Sequence, residues 1–290
     1  MPSIMVKTVS ISRPLLSVLL CFSMGMLLAA CSSGAPMPSG TGQRIVSLDH
    51  CADQYVLKFA DRGDIAALSP QAEAPFSYLR AEASGIAKVS PRAADILALR
   101  PDLVVRSYGG GREIGGFLER AGIPVVQLDF PDSIAGVRAE VLRVSKALGR
   151  AEAGEKVVQN MDRRLRALRE NAAGSRALYM TPLGATTGPG TLVHEMLTTS
   201  GLANFQDRPG WNPLPLERLA YERPDLVAAA FYVDGSGHAD RWSAARHPVA
   251  RRQLAERPVV TLSSAWTACG GWFLVDAVEA LARHRERAAE

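Results

Sequence analysis

The sequence predicts an α/β fold in which two α/β lobes with mostly parallel sheets are joined by a single long helix, with a ligand cleft between the lobes. Short apolar strand-like segments alternate with amphipathic helical segments, which is the pattern of layered α/β folds. The segment "ILALRPDLVV" (96–105) returns as "LAYERPDLVA" (219–228), which indicates two similar halves. A long helical region separates the halves, and a cleft between two lobes is a common ligand site.

The chain begins with an export segment. Lys7 and Arg13 precede an apolar run (15–30) without acidic residues, which is typical of a cleaved signal peptide. The run closes on the tetrapeptide LAAC, which resembles the lipobox of bacterial lipoproteins, where the cysteine is acylated and becomes the mature N-terminus. We therefore expect a lipid anchor on Cys31 and a flexible tether over 31–42. An ordinary cleaved signal with a chance cysteine is the alternative.

The charge balance of the mature chain argues against nucleic acid as a partner. Removing residues 1–30 takes away two of the 33 Lys and Arg and none of the 29 Asp and Glu, so the net charge falls from +4 to +2. No later stretch of the sequence reaches the roughly 18 apolar residues that cross a bilayer. We therefore expect the body to work outside the cytoplasm, held on a membrane through its N-terminal lipid only.

The first lobe is predicted over residues 43–150. Its strands are expected at 44–48, 65–68, 102–106 and 123–128. The proline of each Arg-Pro-Asp cannot continue a helix and favours extended geometry in the residue before it, so the repeated segment predicts a short helix followed by a strand.

The connecting helix is predicted over 151–173 and the second lobe over 174–290. Val157, Met161 and Leu165 recur at the spacing of one helix face. Strands of the second lobe are expected at 177–182, 225–230 and 259–263.

The segment "RIVSLDHCADQ" (44–54) carries Asp49, His50 and Cys51 directly after the first strand. Neighbouring side chains usually diverge and no orienting partner is recognisable, so we expect no catalytic His–Cys pair and no enzyme activity. The mature body keeps only Cys51 and Cys269, which are a candidate disulfide in an oxidising compartment. Two unpaired thiols, or a mixed metal site with Asp49 and His50, remain alternatives.

Several segments together resemble a known family. They are "RIVSL" (44–48), "IAALSP" (65–70), "GIPVVQLD" (122–129), "ERLAYERPDLV" (217–227) and "HPVARRQL" (247–254). In order and spacing, the chain resembles the periplasmic substrate-binding proteins of ABC importers for iron–siderophore complexes, haem and vitamin B12. The resemblance implies two lobes joined by one long helix, and a monomer that delivers a metal chelate to a permease with its ATPase.

The resemblance also implies where the ligand binds. Family members place ligand contacts on loops that face the cleft, and a set of aromatic residues there favours a large, flat ligand. The residues at the matching places are Asp49, His50, Phe76, Tyr78, Tyr108, Trp211, Trp266 and Trp272. Taken singly, each aromatic residue can equally be a core or rim residue.

The family docks on its permease through an exposed acidic residue on each lobe. Glu217 matches the second-lobe position, and Asp95 stands beside Ala94, which matches the first. Glu217 can equally be a helix N-terminal carboxylate favoured by the helix dipole. No cofactor is expected, and the transport energy is expected from the partner ATPase, since the sequence contains no nucleotide motif. A binder of a bare transition-metal ion is the main alternative function, and a redox or hydrolytic lipoprotein is the third.

Overall fold

The protein is described here by a computed structural model that covers residues 42–168, 174–231 and 243–289. It contains two four-stranded parallel sheets, with strands connected by helices, and this confirms the predicted fold class. The predicted signal peptide, Cys31 and nearly all of the tether lie outside the described residues.

The first sheet carries four parallel strands in the spatial order β2-β1-β3-β4. Its strands are β1 (Ile45–Ser47), β2 (Ile65–Ala67), β3 (Leu103–Arg106) and β4 (Val125–Gln127). The helices of this lobe are α1 (His50–Phe59), α2 (Ala93–Ala98) and α3 (Ile114–Arg120). Val46 and Val104 face α2 and α3, whereas Ile45 and Val105 face the opposite core, because successive side chains of a strand point to opposite faces.

Two antiparallel helices follow this sheet, α4 (Ile134–Ala147) and α5 (Ala151–Ala167). Gly154 of α5 lies so close to α4 that a Cβ on it would stand 1.9 Å from Ser145 Oγ. Helix α5 is the predicted connecting helix, and its expected last residues (169–173) lie outside the described part. At its start Arg150 pairs with Asp61 of the first lobe.

The second sheet has the order β10-β9-β5-β7, again with parallel strands. Its strands are β5 (Arg176–Met180), β7 (Ala203–Asn204), β9 (Leu226–Ala230) and β10 (Val259–Leu262). A separate antiparallel pair, absent from the prediction, joins β6 (Ala185–Thr187) to β8 (Trp211–Pro213). The helices are α6 (Leu192–Thr199), α7 (Leu216–Tyr221), α8 (Pro248–Glu256), α9 (Ser264–Thr267) and α10 (Leu274–Ala289).

The two lobes share one hydrophobic core. Ile45 and Val105 of the first sheet belong to the same cluster as Tyr179 and Ala228 of the second, and helices α1, α4, α5, α6 and α10 fill the space around them. Arg164 near the end of α5 reaches α10, where its guanidinium pairs with Asp276 and Glu279. The ends of β1, β3 and β4 and the loop after α9 are therefore held in fixed relation.

Candidate functional site

Asp49 holds together the loops at the carboxyl end of the first sheet. It is the N-cap of α1, and its Oδ1 accepts hydrogen bonds from Ala52 N (3.0 Å) and Ser107 Oγ (2.7 Å). Its Oδ2 accepts from the backbone N–H groups of Ser107, Tyr108 and Gly109 at 2.7–3.1 Å. The side chain is 1% exposed and both oxygens are used, so we assign Asp49 a structural role in place of the predicted ligand contact.

Tyr108 and His50 form a hydrogen-bonded pair above this carboxylate. Tyr108 Oη lies 2.6 Å from His50 Nδ1 and 3.4 Å from Gln71 Oε1. The edge of the His50 ring meets Phe76, with ring centroids 4.8 Å apart. Tyr108 is 45% exposed, so its ring is available to a ligand. Three of the predicted contact residues, His50, Phe76 and Tyr108, are thus brought together.

The surroundings set the protonation of this pair. Burial raises the pKa of Tyr108 to about 12, and the negative charges of Asp49 and Asp53 act in the same direction. Burial lowers the pKa of His50, although the charge of Asp49 and a hydrogen bond with Gln71 oppose the change. At neutral pH the phenol is therefore protonated and the imidazole is neutral, which leaves one imidazole nitrogen with a free lone pair.

A disulfide connects the lobes next to His50. Cys51 in the first turn of α1 is bonded to Cys269 after α9, with their Cα atoms 5.6 Å apart. His50 Nε2 lies 3.6 Å from Cys51 Sγ. The bond therefore ties the His50–Tyr108 pair of the first lobe to the loop after α9 of the second.

A cavity of about 360 Å³ opens beside this loop. Its lining is mainly apolar and comes from both halves of the chain, including Phe130, Leu192, Trp211, Trp266 and Cys269. Trp211 is 60% exposed and Phe130 is 72% exposed, which is unusual for side chains of this size unless they meet a partner. The cavity thus brings together two of the predicted aromatic residues, Trp211 and Trp266.

Phe130 was missed by the sequence reasoning. It stands three residues after Gln127, the last residue of β4, and β3 with its following Tyr108 is the neighbouring strand. An aromatic residue just beyond a predicted strand of the same parallel sheet is the signal that could have found it, since the carboxyl ends of parallel strands share one edge.

Tyr78 and Trp272 lie away from this cavity. The hydroxyl of Tyr78 donates to Asp276 Oδ2 at 2.8 Å, and its ring stacks on Phe273 at 4.7 Å. Trp272 is 9% exposed and meets the rings of Tyr55 and Phe59 edge to face. Trp272 packs in the core and the half-buried Tyr78 packs beside it, and both residues line a second cavity next to Lys58 and Met161. Their role as ligand contacts stays a prediction.

The two predicted docking residues are exposed at equivalent places. Asp95 lies in the first turn of α2 and Glu217 in the first turn of α7. Helix α2 precedes β3 and helix α7 precedes β9 through the same Arg-Pro-Asp sequence, so the sequence repeat is also a structural repeat. Carboxylates in these first turns also interact favourably with the helix dipole.

No helix in the described part of the chain is long and apolar enough to span a membrane.

Comparison with known proteins shows which proteins share this fold. A family model described as periplasmic binding protein matches residues 90–262. The haem-binding protein HutB of Vibrio cholerae superposes with a TM-score of 0.66 at 18% identity, covering 86% of this chain and 100% of that one. RhuT, a haem-binding protein from Roseiflexus sp. RS-1, superposes with a TM-score of 0.64 at 19% identity over 83% and 98% of the two chains.

The vitamin B12 binding protein BtuF of Vibrio cholerae is also similar, with a TM-score of 0.60 at 20% identity over 86% of this chain and 98% of that one. A search of curated protein sequences finds no match. At these identities the structural likeness concerns the fold. Since the family model also covers more than half of the sequence, the chain belongs to the periplasmic binding protein family.

Proposed function

We propose that the protein captures a metal chelate with a flat, apolar face outside the cytoplasm and delivers it to an ABC importer. The observation that carries this proposal is the inter-lobe cavity, in which Trp211, Trp266 and Phe130 offer aromatic surface. Flat conjugated molecules pack well on aromatic rings, and binding sites for small molecules are concave and mostly apolar.

The hydrogen-bonded pair of Tyr108 and His50 in the first lobe favours a chelate that contains iron. Tyrosine and histidine are both axial ligands of haem iron in proteins, and Tyr108 and His50 stand side by side at the cleft with Tyr108 partly exposed. Two of the structural relatives named above are haem-binding proteins and one binds vitamin B12. Haem is therefore the first ligand to test, followed by corrinoids and ferric siderophores.

The disulfide weakens the alternative of a bare metal ion as cargo. In the described residues, one group of three or more His, Cys, Asp or Glu side chains could hold a metal ion, and it consists of His50, Cys51 and Cys269. Its two sulfur atoms are bonded to each other, so only the imidazole nitrogen remains as a good ligand. A single nitrogen does not retain a transition-metal ion strongly.

The experiment is a titration of the purified protein with haem, cobalamin, cobinamide and ferric siderophores. We expect Trp211→Ala and Tyr108→Ala to weaken binding of the preferred chelate by about 1–3 kcal/mol each. Tyr221→Ala is the matched control, because Tyr221 is 92% exposed and does not line the cavity. Unchanged affinity in both test variants would show that the chelate binds elsewhere on the protein.

A test for the bare-ion alternative uses the same preparations. Stoichiometric metal that stays with the protein after dialysis, with no chromophore and no chelate binding, would favour a bare ion as the cargo.

The proposal includes the membrane and the permease. Cys31 would carry the lipid that keeps the protein at the membrane, and Glu217 and Asp95 would meet cationic residues of the permease. Exposure of both carboxylates at equivalent places of the two lobes supports this arrangement. The transport energy would come from the partner ATPase.

A further inference from the structure

The disulfide lies within a cluster of metal-binding groups, of which the proposed chelate site uses only His50. His50 Nε2 is 3.6 Å from Cys51 Sγ, and the ligand atoms of His50, Cys51 and Cys269 all lie within 4.8 Å of one another. Cys51 is buried, whereas His50 and Cys269 are half-buried, so the cluster can be reached from the cavity side. Two sulfurs and one imidazole at this separation match the donor set of a zinc site once the sulfurs are thiolates.

The hydrogen bonds around His50 present the correct nitrogen to the sulfurs. Tyr108 has one hydroxyl proton, which it donates to Gln71 Oε1 at 3.4 Å. When Nε2 binds Zn²⁺, Nδ1 carries the ring proton and donates it to the Tyr108 oxygen, which lies 2.6 Å away. Nε2 is the ring nitrogen that lies 3.6 Å from Cys51 Sγ. A partner on the second ring nitrogen is the usual way in which proteins orient a metal-binding histidine.

We propose that reduction of the Cys51–Cys269 bond creates a Zn²⁺ site made of both thiolates and His50 Nε2. A dithiol reductant supplies two electrons and two protons: the S–S bond breaks to give two thiols, and the reductant leaves as its own disulfide. Each thiol releases its proton to solvent when its sulfur binds Zn²⁺. Three protein ligands leave a fourth position for water, as in zinc sites with two cysteines and one histidine.

The site would keep the lobes linked in the reduced protein. Cys51 belongs to the first lobe and Cys269 to the second, with Cα atoms 5.6 Å apart in the oxidised form. Coordination to one ion would replace the covalent bond across the same gap, and Tyr108 acts here as a positioning residue for His50. The zinc site shares His50 and Tyr108 with the proposed chelate site, but its two thiolates exist only in the reduced protein, so Zn²⁺ binding is measured in the absence of any chelate.

The test compares two redox forms of the wild-type protein. Purified protein is divided into an untreated sample and a sample reduced with a dithiol, and each is dialysed first to remove the reductant and then against Zn²⁺ or Co²⁺. We expect one equivalent of metal, and thiolate-to-Co²⁺ charge-transfer absorption, in the reduced sample alone. Equal metal content in the two samples would overturn the proposal, and this comparison needs no variant to fold.

Variants then identify the ligands. The Cys51→Ser, Cys269→Ser double variant should bind no Zn²⁺ in either redox form. Tyr108→Phe should weaken Zn²⁺ binding about 10- to 100-fold through loss of the partner on His50 Nδ1.

Histidine variants separate the proposed site from general imidazole binding. His50→Ala should abolish the Co²⁺ spectrum of the reduced protein. His247→Asn is the matched control, because it removes an exposed imidazole at the N-cap of α8 and keeps a capping acceptor. Retention of the spectrum in His50→Ala, or its loss in His247→Asn, would contradict the three-ligand site.

Discussion

Replacement of Asp49 should reveal how much the cleft depends on one buried carboxylate. In Asp49→Asn one carboxylate oxygen becomes an NH₂ group. Three backbone N–H groups face Oδ2, whereas Ala52 N–H and the Ser107 hydroxyl face Oδ1. The amide NH₂ will therefore take the Oδ1 side, where the hydroxyl can turn to accept it and Ala52 N–H loses its acceptor.

The magnitude follows from these contacts. Loss of the cap on Ala52 costs about 1 kcal/mol. Hydrogen bonds to a charged acceptor contribute about 1.5–3 kcal/mol and those to a neutral one about 0.5–1.5 kcal/mol, so the three remaining loop hydrogen bonds weaken as well. We expect Asp49→Asn to lower the free energy of unfolding by about 3 kcal/mol. Asp49→Ala should cost more, because it leaves all of these buried donors without an acceptor.

Urea unfolding at constant pH measures the change, with Asp95→Asn as the control. Asp95 also lies in the first turn of a helix but is exposed, so its variant should stay within about 0.5 kcal/mol of the wild type. Chelate affinity should fall in Asp49→Asn, because the backbone N–H of Tyr108 then donates to a neutral oxygen and the residue is held less firmly. A loss below about 1 kcal/mol in Asp49→Asn would refute the assigned structural role.

Three further predictions concern the disulfide, a buried acid and the anchor. The Cys51–Cys269 bond joins residues 218 positions apart, so its reduction in the presence of EDTA should lower the free energy of unfolding by about 5 kcal/mol. The reduction should affect Tm more strongly than it affects the affinity for the chelate. Two alkylatable thiols in unreduced protein would contradict the bond. Burial raises the pKa of Asp53, which accepts hydrogen bonds from Ser69, from 3.8 to about 6. The stability that protonated Asp53 contributes is therefore present below about pH 4 and is lost as the pH rises through about 6. Over this range the free energy of unfolding of the wild type should fall by about 3 kcal/mol relative to that of Asp53→Asn. A difference between the two proteins that does not change with pH would disprove the shift. Cys31→Ala should release the protein into the soluble fraction or leave it unprocessed, whereas a soluble wild type with an unmodified N-terminus would exclude the anchor.

The sequence by itself determined the architecture, because the information for it is local. All seven predicted strands are present, since short apolar runs are typical of buried strands. The repeated Arg-Pro-Asp predicted both helix-to-strand connections through the restrictions of the proline ring. The edge strand β7 and the small pair of β6 and β8 escaped prediction, because strands of two or three residues carry no periodic signal.

Only the tertiary structure decided which side chains face the cleft. Trp266 and Trp272 are six residues apart and look alike in sequence, yet helix α9 directs Trp266 to the cavity while Trp272 enters the core beside Tyr55. Asp49 looks like a ligand contact until the loop after β3 folds over it and uses both of its oxygens. Burial and hydrogen-bond saturation depend on segments distant in the chain, so the sequence around each residue contains no record of them.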